Sequence, residues 1–117
     1  MQFQKEQGHH HSIIAYDTHQ LKIGDTIYTQ NLLVDKNQIH CPWSATSLLD
    51  INPSDLMAYD PKVVIVGINK ALTLPTALMI ALSKQGVGIE VMSIGAACRT
   101  YNVLLSEDRD VLGAFLF

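Results

Sequence analysis

The stretch that decides the fold is VVIVGINKALTLPTALMIAL, residues 63–82. Its first four residues, 63–66, form a continuous β-branched run, which is typical of a strand buried on both faces of a sheet. Pro75 suits the first turn of a helix, and residues 76–85 predict a helix that ends at Gly86. Because residues 77–82 are all apolar, we expect that helix to be largely buried.

The same twenty residues are also the part of the chain that most resembles a membrane span. A spanning helix needs about twenty residues with few polar interruptions. This stretch is interrupted in its middle by Gly67, Asn69, Lys70, Thr73 and Pro75. It therefore predicts a strand, a loop and a helix, and a protein that does not span a membrane.

Strands and helices continue to alternate toward the C-terminus. Residues 87–92 predict a strand, residues 96–106 a helix and residues 111–117 a last strand. Strands that alternate with helices are typical of crossover connections. We therefore predict an α/β fold in which a partly parallel sheet carries helices on its faces.

The first forty residues predict β-structure. Residues 13–16 form a short apolar run, and residues 31–34 and 38–40 predict a further pair of strands. Between them, a hairpin turns at Gly24-Asp25, because glycine readily supplies the positive φ of a tight turn. This turn pairs Ile23 with Thr26 and places Leu21 opposite Tyr28 on a face that is mainly core.

The two halves of the chain are joined by a segment without periodicity. Residues 41–52 predict a loop whose Trp43 packs against the sheet. Asn52 or Ser54 then caps a short helix that runs to residue 59 and ends before Pro61.

Composition limits the function classes. The 117 residues are 48% hydrophobic, which predicts one folded domain, residues 13–117, after a flexible N-terminal tail, residues 1–12. Eight Lys and Arg against eleven Asp and Glu give a net charge of −3. The cations are scattered, so we expect no nucleic-acid partner.

The cysteine content and the N-terminus bear on location. Cys41 and Cys98 lie far apart, which predicts neither a disulfide framework nor a zinc knuckle and favours a reducing compartment. The first twelve residues are polar and contain no apolar stretch of signal-peptide length. We therefore expect a cytoplasmic protein.

The predicted helix 96–106 carries the most suggestive side chains. Arg99 and Asn102 share its polar face and could bind a carboxylate or phosphate near the helix N-terminus, or could simply form a solvated surface. Cys98 is expected in the first turn, where the helix dipole favours a thiolate. The nearby sequence offers it no base, so a small buried core cysteine is the alternative that we favour.

Other patterns indicate little chemistry. His9, His10 and His11, with His19 nearby, could hold a transition metal, or could be adventitious residues of a mobile terminus. No glycine-rich phosphate motif and no Ser, His and Asp set is recognisable from spacing. We therefore predict a protein that is not an enzyme and that holds no metal and no cofactor.

Three segments carry a family resemblance: GVGIEVM at residues 86–92, ACRTYNVL at 97–104 and EDRDV at 107–111. They resemble a widespread family of unknown function with the Mth938-like fold, whose eukaryotic relatives include the mitochondrial complex I assembly factor 3. The run Arg-Thr-Tyr-Asn at residues 99–102 is its most specific part. The chain departs from the family at residues 67–69, where Gly-Ile-Asn replaces the usual Gly-Thr-Gly.

The resemblance implies three layers. A central mixed β-sheet is covered by helices on one side and by a helix and an N-terminal β-ribbon on the other. It also implies a non-enzymatic assembly helper that binds a protein partner, such as a membrane-associated complex, and that reaches the inner membrane only through that partner. A shared fold alone does not establish a shared function.

The alternative function is a small-molecule or anion-binding domain. Its site would lie between the loop at Gly67 and the N-terminus of the helix that contains Cys98. The candidate binding residues under the two hypotheses are Gly67, Asn69, Cys98, Arg99 and Asn102.

Overall fold

The computed structural model describes residues 10–70 and 73–117. These residues form eight strands, three α-helices and one short 3-10 helix, Leu48–Asp50. The strands are β1 (Ile13–Asp17), β2 (Gln20–Ile23), β3 (Thr26–Tyr28), β4 (Leu32–Val34), β5 (Ile39–His40), β6 (Val63–Ile68), β7 (Gly88–Met92) and β8 (Val111–Leu116). The helices are α1 (Pro53–Met57), α2 (Thr76–Ser83) and α3 (Ile94–Ser106).

A three-stranded antiparallel sheet, β1-β2-β3, forms the N-terminal β-ribbon. The predicted hairpin is confirmed: Gly24 has a φ of 59°, Ile23 pairs with Thr26, and Leu21 pairs with Tyr28. Leu21 and Ile23 are buried, whereas Ile27 lies 54% exposed on the other face. One face of the ribbon therefore belongs to the core.

The larger sheet has five strands in the order β5-β4-β8-β6-β7. β6 runs parallel to both of its neighbours, β7 and β8, while β4 runs antiparallel to β8. The interior position of β6 follows from its sequence, because Val64, Ile65 and Val66 are each at most 1% exposed and have apolar neighbours on both faces.

Different elements pack on the two faces of this sheet. Leu56 of α1, Leu78 and Leu82 of α2, and Trp43 pack on one face. α3 and the β-ribbon pack on the other face, where Tyr101 is fully buried. The three-layer α/β architecture implied by the family resemblance is therefore present.

The predicted burial of the helix that follows Pro75 is wrong. Only Leu78 and Leu82 of α2 are buried, and Met79 and Ile80 are 44% and 49% exposed. The physical reason is position, because α2 contacts α1 and the edge strand β7 and so is covered on one side only. Within residues 10–70 and 73–117, no helix has the length and apolarity needed to cross a bilayer.

Several element boundaries differ from the prediction, and a capping side chain explains the start of α3. The Ser93 hydroxyl accepts a hydrogen bond from the Ala96 N–H at 3.3 Å, so α3 begins at Ile94 and not at residue 96. Asn52, one of the two predicted caps, caps α1, but α1 ends at Met57 and not at residue 59. The segment predicted as a loop contains the 3-10 helix Leu48–Asp50.

Candidate functional site

A cavity of about 530 Å³ opens at the carboxyl ends of β6 and β7. We call it the switch-point cavity; it is lined by residues 16–18, 68–70 and 91–95. From these two adjacent strands the chain continues into helices on opposite faces of the sheet, α2 after β6 and α3 after β7. In open α/β sheets, ligands commonly bind in the crevice that such a divergence leaves.

The lining combines apolar side chains with a few polar ones. The apolar side chains at the strand ends and at the start of α3 are Ile68, Val91, Met92 and Ile94. The polar ones include Asp17, Asn69, Lys70 and Ser93. Apolar atoms make up most of the surface that the lining exposes, as is typical of small-molecule sites, and the cavity volume lies within their usual range of roughly 300–1,000 Å³.

The turn between β1 and β2 contributes residues 16–18 to this lining, and two side chains tie it to the α/β core. The Asn69 amide donates to the Thr18 carbonyl oxygen at 3.1 Å. The Arg99 guanidinium donates to the Tyr16 hydroxyl at 2.7 Å. A β-carbon on Gly95 would lie 3.0 Å from the Tyr16 ring, which shows how closely the ring approaches the start of α3.

Of the five candidate binding residues, Asn69 alone is among those that line the switch-point cavity. Gly67 lies inside β6, where a β-carbon would come within 2.7 Å of the Phe115 ring and 2.8 Å of the Ala97 β-carbon. Its missing side chain allows α3 to approach the sheet. Gly67 therefore gives α3 and Phe115 room to pack against β6, and it is not among the residues that line the cavity.

Asn102 is engaged with the β-ribbon. Its side-chain oxygen accepts from the Ile13 N–H at 2.8 Å, and its side-chain nitrogen donates to the Ile13 carbonyl oxygen at 2.9 Å. The amide thus pairs with one residue of β1 as a neighbouring strand would. Arg99, one turn earlier, reaches the same ribbon at Tyr16, so the predicted polar face of α3 holds β1 in place.

We expect Asn102→Ala to lower the free energy of unfolding by about 1–2 kcal/mol. The substitution removes two hydrogen bonds and leaves the half-buried N–H and carbonyl groups of Ile13 without these partners. Urea unfolding followed by circular dichroism measures the change. Ser106→Ala, which removes one exposed hydrogen bond from the same helix, is the matched control. A loss no larger than the control's would contradict the role of Asn102 in holding β1 against α3.

Cys98 lies in the second turn of α3, so its predicted place in the first turn is wrong. The side chain is fully buried against the sheet. Burial raises the pKa of the Cys98 thiol to about 12, and the nearby Arg99 charge only partly opposes this. The structure therefore confirms the buried core cysteine that the sequence analysis favoured.

The histidines of the predicted N-terminal tail are only partly described. His9 lies outside the described residues, and so does most of the predicted tail. The His11 ring nitrogen Nδ1 lies 2.6 Å from the Asp35 carbonyl oxygen, and the Tyr101 hydroxyl donates to the His11 carbonyl oxygen at 3.1 Å. Among the described residues, no three His, Cys, Asp or Glu side chains come together as a metal-binding group.

Sequence reasoning missed most of the cavity lining. Met92 and Ser93 stand at the end of the predicted strand 87–92, and Lys70 follows β6. Examining the carboxyl ends of the two adjacent parallel strands would have found them. Residues 16–18 carry no such signal, because their place at the cavity depends on the long-range packing of the β-ribbon on α3.

A family model described as a protein of unknown function (DUF498/DUF598) matches residues 13–116. The chain belongs to the DUF498/DUF598 family. The match spans β1 to β8 and therefore includes every residue that lines the cavity.

Solved structures similar to this DUF498/DUF598 protein share its fold. An NMR structure of a Xanthomonas campestris protein is 30% identical and has a TM-score of 0.81, covering 89% of this chain and 82% of that one. A crystal structure of an outer membrane protein from Bartonella henselae is 25% identical, with a TM-score of 0.78 and coverages of 93% and 96%. A Mth938-like domain from Bordetella pertussis, at 22% identity and a TM-score of 0.78, covers 99% of this chain and 92% of its own and shows the fold alone.

A curated relative matches over a shorter region. The 13 kDa major membrane protein of Francisella tularensis subsp. holarctica is 32% identical over 57 residues. This alignment covers 48% of the present DUF498/DUF598 chain and 46% of the relative, so the two are matched over about half their lengths.

Proposed function

We propose that this DUF498/DUF598 protein binds a small molecule with an apolar body in the switch-point cavity. The observation that carries the proposal is the position of the cavity, between adjacent parallel strands whose following helices lie on opposite faces of the sheet. The proposal takes up the alternative function from the sequence, a small-molecule or anion site expected between the loop at Gly67 and the N-terminus of the helix that contains Cys98.

The apolar body follows from the lining. Val91 and Met92 are half-buried, so they keep exposed apolar surface that a ligand can cover, whereas Ile68 and Ile94 are already buried. Covering such surface contributes roughly 25 cal/mol per Å². Asn69, Ser93 and Lys70 would then orient the ligand's polar end, because a few polar groups commonly set the direction of binding in such sites.

N-phenyl-1-naphthylamine, a neutral apolar dye, tests the proposal. We expect its fluorescence to rise saturably when it is titrated into the protein. Met92→Trp, which places bulk in the cavity lining, is expected to weaken dye binding about tenfold, a loss of about 1.4 kcal/mol. Ile27→Trp on the exposed face of the β-ribbon is the matched control and should leave dye binding unchanged.

Equal effects of the two tryptophan substitutions would place the dye elsewhere and would overturn the proposal. A thermal-shift screen with phosphates, carboxylates and nucleotides addresses the natural ligand, since a compound that binds only the folded form raises the melting temperature. Shifts that disappear in Met92→Trp, and persist in Ile27→Trp, identify compounds that enter the cavity.

A protein-interaction role is the second candidate, and the exposed face of α2 favours it. Met79 and Ile80 present apolar side chains to solvent, and α2 packs beside β7, whose outer edge has no neighbouring strand in the described sheet. Exposed apolar helices and open strand edges are recurrent docking elements. The role of assembly helper for a membrane-associated complex, implied by the family resemblance, would use this surface. The names of the Bartonella and Francisella relatives are compatible with a partner at a membrane.

Affinity purification with two matched variants tests the protein-interaction role. We expect a partner recovered from native lysate by the unmodified protein to be lost with Ile80→Glu and retained with Ile27→Glu. Both residues are about half exposed, so the two charges perturb folding similarly. Retention of the partner by Ile80→Glu would exclude α2 as the contact surface.

A further inference from the structure

We propose that the turn between β1 and β2 is a flap that controls entry to the switch-point cavity. The proposal concerns regulation of the site described above and therefore rests on the proposed function. The proposal is based on the position of residues 16–18. They form a solvent-exposed turn that lines the cavity, and two exposed hydrogen bonds join this turn to the α/β core.

The base of the flap is firmly anchored. Ile13 at the start of β1 is 5% exposed and is held by both polar atoms of Asn102. Leu21 in β2 is fully buried. By contrast, residues 14–19 between these anchors are all exposed. Tyr16 pairs with the buried Leu21, so the part of the hairpin beyond this pair, residues 17–20, can bend without disturbing the core, as expected of a segment with few buried contacts.

Two latches hold the flap in the observed position. One is the hydrogen bond from the Asn69 amide to the Thr18 carbonyl oxygen, and it joins the flap to the end of β6. The other is the hydrogen bond from Arg99 to the Tyr16 hydroxyl, beside the close contact of the Tyr16 ring with Gly95. Each exposed hydrogen bond changes the closed-to-open equilibrium by only about 2- to 10-fold, which suits a gate that must open for a ligand.

Access to the cavity can be measured without any ligand. Met92→Cys places a thiol in the cavity lining, and Cys41→Ser removes the half-buried native thiol, while Cys98 is fully buried. We expect N-ethylmaleimide to label residue 92 slowly in this background. Asn69→Ala and Arg99→Met should each raise the labelling rate about 2- to 10-fold, and their combination should approach the product of the two increases.

Two further variants guard against general destabilisation. Asn69→Asp preserves side-chain shape but removes the donor to Thr18, so it should accelerate labelling as Asn69→Ala does. Ser106→Ala, which removes an exposed hydrogen bond far along α3, should leave the rate unchanged. Equal acceleration in Ser106→Ala, or no response to either latch, would overturn the flap.

The labelling and dye-binding experiments together distinguish failure of the flap proposal from failure of the proposed ligand site. Labelling that responds to the latches, in a protein that does not bind N-phenyl-1-naphthylamine, supports the flap and overturns the proposed function. Dye binding that is lost in Met92→Trp, with labelling indifferent to the latches, supports the site and overturns the flap.

Discussion

Gly67→Ala is expected to lower the free energy of unfolding by about 3 kcal/mol. The new β-carbon would lie 2.7 Å from one atom of the Phe115 ring and 2.8 Å from the Ala97 β-carbon. Phe115 belongs to the central strand β8 and Ala97 to α3, so relief requires two packed elements to shift. Overpacking of this kind costs about 1–3 kcal/mol, and the absence of room on either side places Gly67 at the upper end.

Gly88→Ala is the matched control, because a β-carbon at Gly88 would meet no atom within 4 Å. We expect this substitution to be neutral or to stabilise the protein by about 0.4–1 kcal/mol, since alanine reduces the conformational freedom of the unfolded chain. The urea unfolding midpoints of the two variants, compared with that of the unmodified protein, measure the two changes in stability. Equal stability of Gly67→Ala and the unmodified protein would contradict the close approach of α3 to β6.

Cys98 is expected to react with thiol reagents at least about a hundredfold more slowly in the folded protein than in the unfolded chain at pH 7.5. Burial raises the pKa of the Cys98 thiol to about 12, so the reactive thiolate is far scarcer in the folded protein than in the unfolded chain. Full burial also limits contact with the reagent. The measurement follows alkylation of Cys41→Ser, in which Cys98 is the remaining cysteine, with and without denaturant.

A folded-state rate within tenfold of the unfolded rate would contradict this burial and would revive Cys98 as a candidate nucleophile. Iodoacetamide labelling of the folded protein, followed by mass spectrometry, provides an independent readout at the level of the modified residue. The expected result is an unmodified Cys98 after Cys41 in the native chain has been labelled.

The same shift predicts a pH dependence of stability. Below pH 9 the Cys98 thiol is protonated in both the folded and the unfolded chain, so its contribution to stability is fully present. As the pH rises from 9 toward 12 the unfolded chain releases this proton first, and the free energy of unfolding falls. Burial also raises the pKa of Tyr101, which extends the loss to higher pH. Cys98→Ala should reduce the decline between pH 9 and 11; an unchanged decline would contradict the assignment.

The accuracy of the sequence prediction depended on the range of the interactions involved. The Gly24 hairpin and the interior strand β6 were predicted because a turn residue and an apolar run encode them locally. The burial of α2 was predicted wrongly, because its apolar residues are uniform around the helix and do not reveal that β7 is an edge strand. The start of α3 was misplaced by two residues because the capping role of Ser93 was overlooked.

The candidate site shows the same division. Asn69 was named as a candidate of the site at the Gly67 loop, and it lines the cavity. Asn102 was identified as a candidate ligand from its helical face, and it instead pairs with Ile13 of a strand that lies 89 residues away in the chain. Arg99 likewise meets Tyr16, a partner that helical periodicity cannot indicate.

Periodicity and turn chemistry in this chain were therefore sufficient for the α/β class, the crossover pattern and the hairpin, because each arises among residues that are close in sequence. The switch-point cavity arises only when β6 and β7 lie side by side, α2 and α3 cover opposite faces, and the β-ribbon packs against α3. Those contacts join distant segments through packing and hydrogen bonds. Their partners depend on the folded arrangement of the whole chain, and so does the role of each side chain at the site.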